Sequence, residues 1–90
     1  MDYNIVNNEA ENRFELHVDG LMAIAEYILT PDKIIFTHTE VPEELEGKGI
    51  GSALAKYALE SVKASGLKVF PMCPFFQAYI ERHKEYQSLL

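Results

Sequence analysis

Three glycines alternate in the segment EGKGIGS, residues 46–52, and a strongly helical segment follows them without a break. Because glycine has no side chain, several backbone N–H groups can crowd around one point there. The first turn of the following helix adds N–H groups that lack intrahelical partners, together with a positive partial charge. The segment therefore predicts a phosphate-binding loop.

Two common phosphate-binding motifs do not fit this loop. A Walker loop has Lys-Ser or Lys-Thr directly after its last glycine, whereas Lys48 lies between glycines and Ser52 follows Gly51. The dinucleotide pattern G-x-G-x-x-G has its third glycine one residue later than here. That pattern also expects an acidic residue after the next strand, and the strand candidate at 67–70 has none.

The chain before the loop has the pattern of an antiparallel meander. Apolar and polar residues alternate in the first clear strand: Phe14, Leu16 and Val18 against Arg13, Glu15 and His17. Asp19-Gly20 predicts a turn, and 21–29 is apolar on both faces apart from Glu26, as in an inner strand. A second turn at 30–32 leads into a third strand at 33–41, and 3–6 predicts a short strand at the start.

After the loop, apolar residues recur at helical spacing: Ile50, Ala53, Leu54, Tyr57, Ala58 and Val62. Gly66 predicts the end of this helix, 67–70 a short strand, and Pro74 the first turn of a final helix. A strand-helix-strand order implies two parallel strands joined by a right-handed crossover. The predicted fold class is therefore α+β, with a mixed sheet, one βαβ crossover and a C-terminal helix.

The segments around the loop carry a resemblance to the GNAT acetyltransferases. Their pyrophosphate loop reads (Gln/Arg)-x-x-Gly-x-(Gly/Ala), and Gly49 and Gly51 match its glycines, while Glu46 stands where Gln or Arg is usual. HTEVP at 38–42, PMCP at 71–74 and the later Tyr79, Arg82, His83 and Tyr86 resemble a compact subfamily of these enzymes. In that subfamily a histidine and a cysteine, matching His38 and Cys73, face the acetyl group.

The resemblance implies acetyl-CoA as cosubstrate and a pantetheine arm lying between the strands that end at Val41 and Phe70. Within its strand, His38 is predicted to share a face with Ile34 and Phe36 and so to look into this cleft. The predicted cofactor residues are Val41, Glu46, Gly47, Lys48, Gly49, Ile50, Gly51 and Ser52.

Two mechanisms remain open. In direct transfer, His38 is the general base for the amine and Tyr79 protonates the departing thiolate. In the covalent route, Cys73 accepts the acetyl group first, with His38 and the N-terminus of the final helix activating its thiol.

Composition limits the classes of partner. With 90 residues, 48% hydrophobic and 24% charged, the chain predicts one globular domain spanning 1–90. A net charge of −6 with only eight Lys and Arg argues against general nucleic-acid binding and favours a cationic amine acceptor. The lack of a long apolar run and of a signal-peptide pattern favours a cytoplasmic protein that is not in the membrane.

Histidines and the one cysteine show no paired spacing, so no metal site is predicted.

The function that fits best is an acetyl-CoA-dependent N-acetyltransferase. The alternative is a non-catalytic CoA-binding or protein-interaction module that has the same fold. The segment between the first two strands, 7–12, is too short for helices that would cover the acceptor side. The uncovered acceptor side suits either an amine acceptor or a homodimer contact.

Overall fold

A computed structural model describes residues 3–90 and contains one five-stranded sheet with two α-helices. The strands are β1 Asn4–Asn8, β2 Arg13–Val18, β3 Leu21–Leu29, β4 Lys33–Glu40 and β5 Lys68–Pro71. The helices are α1 Ile50–Ser65 and α2 Pro74–Arg82, and three short 3-10 helices span Glu9–Glu11, Glu43–Leu45 and Lys84–Leu89.

The strands lie in the sheet in chain order, β1-β2-β3-β4-β5. The first four pair antiparallel, and β5 pairs parallel to β4 after the crossover through α1. The predicted α+β class, with a meander, one βαβ unit and a C-terminal helix, is therefore confirmed. The first strand was predicted at 3–6 and spans Asn4–Asn8, so it ends two residues later than predicted. The last strand was predicted at 67–70 and spans Lys68–Pro71, a shift of one residue.

Both helices pack against the same face of the sheet, and the core lies between them and that face. Phe14, Tyr27 and Phe36 are buried on three neighbouring strands, and the Phe36 ring stacks on Phe76 of α2 with ring centroids 4.1 Å apart. The predicted apolar stripe of α1 is largely buried, although Tyr57 is exposed. Gly66 ends α1 in the left-handed conformation, as its position predicts.

A β-bulge interrupts the pairing of β3 with β4. Glu26 pairs with His38, but the next residue of β3, Tyr27, pairs with Phe36, so Thr37 is an extra residue in β4. Side chains of paired residues lie on the same face of a sheet. Phe36 therefore lies on the helix face with Tyr27, whereas His38 lies with Glu26 on the opposite face.

The prediction that His38 shares a face with Ile34 and Phe36 is therefore wrong. Simple alternation along β4 would place these three side chains together, but the extra residue at Thr37 reverses the alternation. His38 and Glu40 are exposed on the face that carries no helix, which we call the open face.

The open face carries a tightly bonded carboxylate. Glu15 is only 6% exposed, although it belongs to the predicted polar side of β2. Its carboxylate accepts hydrogen bonds from Arg13 Nε at 2.7 Å and Asn8 Nδ2 at 2.8 Å, and its other oxygen lies 2.9 Å from His17 Nε2. These partners, Arg13 foremost, lower the pKa of Glu15 from 4.5 to about 2.

We expect Glu15→Gln to lower the free energy of unfolding by about 1–3 kcal/mol at neutral pH, because it removes the charge that these donors bind. The pKa of Glu15 is lowered on folding, so its stabilisation is complete above pH 4.5 and is lost as the pH falls towards 2. Urea unfolding should show a difference between wild type and variant that narrows at about pH 3.

Glu44→Gln is the matched control, because Glu44 is exposed. Its effect should stay within about 0.5 kcal/mol at either pH. A Glu15→Gln difference that is as large at low pH as at neutral pH would contradict the assigned role.

Candidate active site

The sheet opens into a gap between β4 and β5. Their pairing runs from Lys33–Lys68 to Phe36–Pro71 and stops there, while β4 continues to Glu40. The amide of Cys73 donates to the Phe36 carbonyl at 2.9 Å, which is the last backbone contact between these segments within the described residues. The β5-facing edge of 37–40 thus borders a gap, at the carboxyl ends of the two parallel strands.

The glycine loop and the start of α1 lie at the end of this gap. The first hydrogen bond of α1 runs from the Ala53 amide to the Gly49 carbonyl at 3.0 Å. The amides of residues 50–52 come before this donor and therefore have no intrahelical partner. Gly49 has φ +73°, a left-handed conformation that favours glycine. A cavity of about 230 Å³ lies here and reaches from Val41 to Phe75.

Seven of the eight predicted cofactor residues line this cavity: Val41, Glu46, Gly47, Gly49, Ile50, Gly51 and Ser52. Lys48 is the exception, and its carbonyl accepts a hydrogen bond from the Tyr3 hydroxyl at 3.3 Å. The amide of Glu46 already donates to the Glu43 carbonyl at 3.1 Å. While this turn is formed, that amide is occupied, and the donors that remain belong to the residues after it.

Two residues that line the cavity, Leu45 and Phe75, were missed from the sequence. A Cβ atom added at Gly51 would lie 2.8 Å from Cζ of the Phe75 ring, so glycine is needed there for close packing of α1 and α2. The sequence does not distinguish the neighbours Phe75 and Phe76, because only the position of α2 decides which one enters the core and which one forms the cavity wall.

Cys73 and His38 border the gap from opposite faces of the sheet. Cys73 is 4% exposed, immediately precedes α2, and has its Sγ atom 3.2 Å from Oγ1 of Thr39. Thr39 pairs with the buried Ala25, so this contact lies on the helix face. The His38 side chain is 56% exposed on the open face, with Nε2 3.4 Å from Glu40 Oε2.

The structure does not bring Tyr79 to the glycine loop. Tyr79 is buried, and its ring stacks on His83 with centroids 3.9 Å apart. Burial, followed by the charges of Glu85 and Glu60, raises the pKa of Tyr79. Glu60 lies ten residues after Ile50, roughly 15 Å along α1. These contacts do not test the predicted general-acid role of Tyr79, which stays a prediction.

Within residues 3–90, no three His, Cys, Asp or Glu side chains gather in a way that would hold a metal ion. In the same part of the chain, neither helix has the length and apolar character that a membrane crossing requires.

We expect Gly51→Ala to destabilise the fold, although alanine is favoured over glycine in helices by about 1 kcal/mol. The new methyl group overlaps the Phe75 ring, and overpacking of this kind costs about 1–3 kcal/mol. Urea unfolding of Gly51→Ala, Phe75→Leu and the double variant should show that Phe75→Leu offsets part of this cost. A more stable Gly51→Ala protein would contradict the tight contact.

The chain matches known proteins along most of its length. A family model described as GCN5-related N-acetyl-transferase matches residues 13–89. Protein NATD1 of Mus musculus is 29% identical over 82 residues, covering 88% of this chain and 74% of that protein. Protein NATD1 of Homo sapiens is likewise 29% identical over 82 residues, covering 88% and 73%.

A solved structure agrees with the sequence matches. The NMR solution structure of a GCN5-like protein from Staphylococcus aureus is similar to this chain with a TM-score of 0.74 and 29% identity, covering 96% of this chain and 85% of that one. Because the family model covers residues 13–89 and the solved structure has the same fold, this chain belongs to the GCN5-related N-acetyltransferase family.

Proposed function

We propose that this protein is an acetyl-CoA-dependent N-acetyltransferase that transfers the acetyl group directly to an amine. The observation that carries the proposal is the position of the glycine-loop cavity, which meets the β4–β5 gap at Val41. The cavity at the helix N-terminus, where we place the phosphates, thus continues into a gap that borders the exposed His38.

In this proposal the diphosphate of CoA binds the backbone at Gly49, Gly51 and Ser52. Positive φ at Gly49 and the free amides of the first turn of α1 support that position. The pantetheine arm follows the β5-facing edge of 37–41, where the backbone of β4 has no strand partner. The thioester then lies in the gap, between the two faces of the sheet.

The acceptor amine approaches from the open face and loses the proton of its ammonium form to solvent, and His38 then takes the second proton, which the nitrogen loses as it attacks. The amine nitrogen bonds to the thioester carbonyl carbon, the carbon–sulfur bond breaks, and the CoA thiolate leaves and is protonated by water. Glu40, 3.4 Å from the imidazole, and Glu26, which pairs with His38 across the strands, favour a cationic amine at this face.

We assign Cys73 a packing role in the β4–β5 gap, where the acetyl group of the thioester would lie. A covalent route needs a base in contact with the thiol, and the neighbour of Sγ is the Thr39 hydroxyl, which is not a base at neutral pH. His38 lies on the opposite face of β4. Direct transfer is therefore the better match to these positions.

Binding of acetyl-CoA should be visible as thermal stabilisation. At about 100 times its dissociation constant, the ligand should stabilise the fold by about 2.7 kcal/mol, or roughly 10–20 °C in melting temperature. Ser52→Asp should abolish this shift, because it sets a carboxylate against the diphosphate. It should keep the unliganded protein stable, since an acidic residue in the first turn of a helix is favourable.

Ser61→Asp is the matched control on the same helix, because Ser61 is exposed and lies far from the loop. It should leave the acetyl-CoA shift unchanged. If wild type shows no shift at millimolar acetyl-CoA, or if Ser52→Asp keeps the full shift, the cofactor site is wrong.

The roles of His38 and Cys73 can be separated by kinetics. Against a panel of polyamines, amino acids and lysine peptides, His38→Ala should slow CoA release about 10²–10⁴-fold, whereas Cys73→Ala should keep most of the activity. His17→Ala is the control, being another exposed histidine of the same face. Activity should rise with pH as the amine loses its proton.

Intact-mass spectrometry tests the covalent route directly. Under direct transfer, protein mixed with acetyl-CoA without amine should carry no acetyl group that hydroxylamine removes. Such an adduct, lost together with turnover in Cys73→Ala, would overturn direct transfer. A thermal shift without CoA release across the whole panel would instead favour the non-catalytic module.

A further inference from the structure

An apolar row crosses the open face beside the gap. Ile28 pairs with Ile35, and Ile35 pairs with Phe70, so these side chains lie side by side on three neighbouring strands. Met72 follows two residues after Phe70, beside the gap. Ile28, Phe70 and Met72 are 54%, 53% and 55% exposed, and no element within residues 3–90 covers them.

The bulge at Thr37 joins this row to the catalytic end of β4. With regular alternation, Ile35 and His38 would lie on opposite faces, because they are three positions apart along the strand. The extra residue puts both on the open face, roughly 10 Å apart along the strand. The apolar row and His38 therefore form one continuous surface.

The two ends of this surface differ in charge. The carboxylate of Glu26 lies beside His38 on the neighbouring strand and that of Glu40 lies beyond it on β4, whereas the apolar row carries no charge. Arg13 pairs with Glu26, but its guanidinium is hydrogen-bonded to Glu15. A cationic group is therefore favoured at the His38 end and apolar groups at the other end.

We propose that the open face docks a polypeptide acceptor in which the acetylated lysine has apolar residues about two to four positions away. This inference rests on the proposed function and specifies its acceptor. The lysine amine reaches His38, and the apolar side chains pack on Ile28, Ile35 and Phe70. An extended chain advances about 3.3 Å per residue, so such a spacing covers the distance between the two ends.

A polypeptide fits this surface better than a small amine does. Small molecules are bound in concave clefts, whereas the apolar row is the face of a sheet and spans three strands, roughly 10 Å across. Exposed apolar rows rimmed by charged residues are typical of protein-binding surfaces.

The test compares two peptides that share one lysine and blocked termini. One has phenylalanine two and four positions after the lysine, and the other has serine at both. Wild type should acetylate the phenylalanine peptide with a kcat/KM about tenfold higher, mainly through KM. Phe70→Ser should remove this preference, while leaving kcat and the rate with n-propylamine unchanged.

Leu29→Ser is the matched control, because Leu29 is the exposed neighbour of Ile28 but pairs with the buried Ile34 and so belongs to the helix face. It should keep the preference. Equal kcat/KM for the two peptides in wild type would overturn the inference, while acetylation of n-propylamine would still support the proposed function.

Binding provides a readout that does not depend on turnover. Fluorescein-labelled versions of both peptides, titrated with the protein in the presence of CoA, should bind with dissociation constants about tenfold apart, and Phe70→Ser should make them equal. Equal binding by wild type would overturn the inference whether or not any amine is acetylated. Self-association that Phe70→Ser abolishes, together with equal peptide binding, would assign the row to a homodimer instead.

Discussion

One extra residue in β4 sets the arrangement of the whole site. The bulge at Thr37 reverses the alternation of side chains, so that β4 contributes Ile34 and Phe36 to the core before it and His38 to the open face after it. It also coincides with the end of pairing to β5, which opens the gap. The same strand therefore anchors the helices at one end and borders the site at the other.

The two faces of the sheet within residues 3–90 are built differently. Both helices pack on one face, where Phe36 stacks on Phe76 and the buried residues of α1 complete the core. The other face is left to a polar network around Glu15 and to the apolar row. A sheet can leave one face without a helix when its polar groups are bonded to one another, as they are around Glu15.

Local sequence patterns predicted most of the fold and most of the residues that line the glycine-loop cavity. The alternation of Phe14 and Leu16, the start of α1 after the glycine loop and the stop at Gly66 each depend on interactions between residues close in the chain. The loop residues could be assigned for the same reason, since a helix N-terminus needs no distant partner to present its amides. Lys48 does not line the cavity, and its carbonyl accepts a hydrogen bond from the Tyr3 hydroxyl, 45 residues earlier, so its role at the cofactor stays a prediction.

The sequence by itself thus determined the order of the elements, the glycine loop and the residue types available for chemistry. Only the tertiary structure decided which side each residue faces: His38 on the open face, Cys73 beside Thr39 on the helix face, and Tyr79 stacked on His83. The physical reason is that a bulge is a property of two paired strands. The register between β3 and β4 is set by packing across the sheet, and no pattern within 33–41 alone records it.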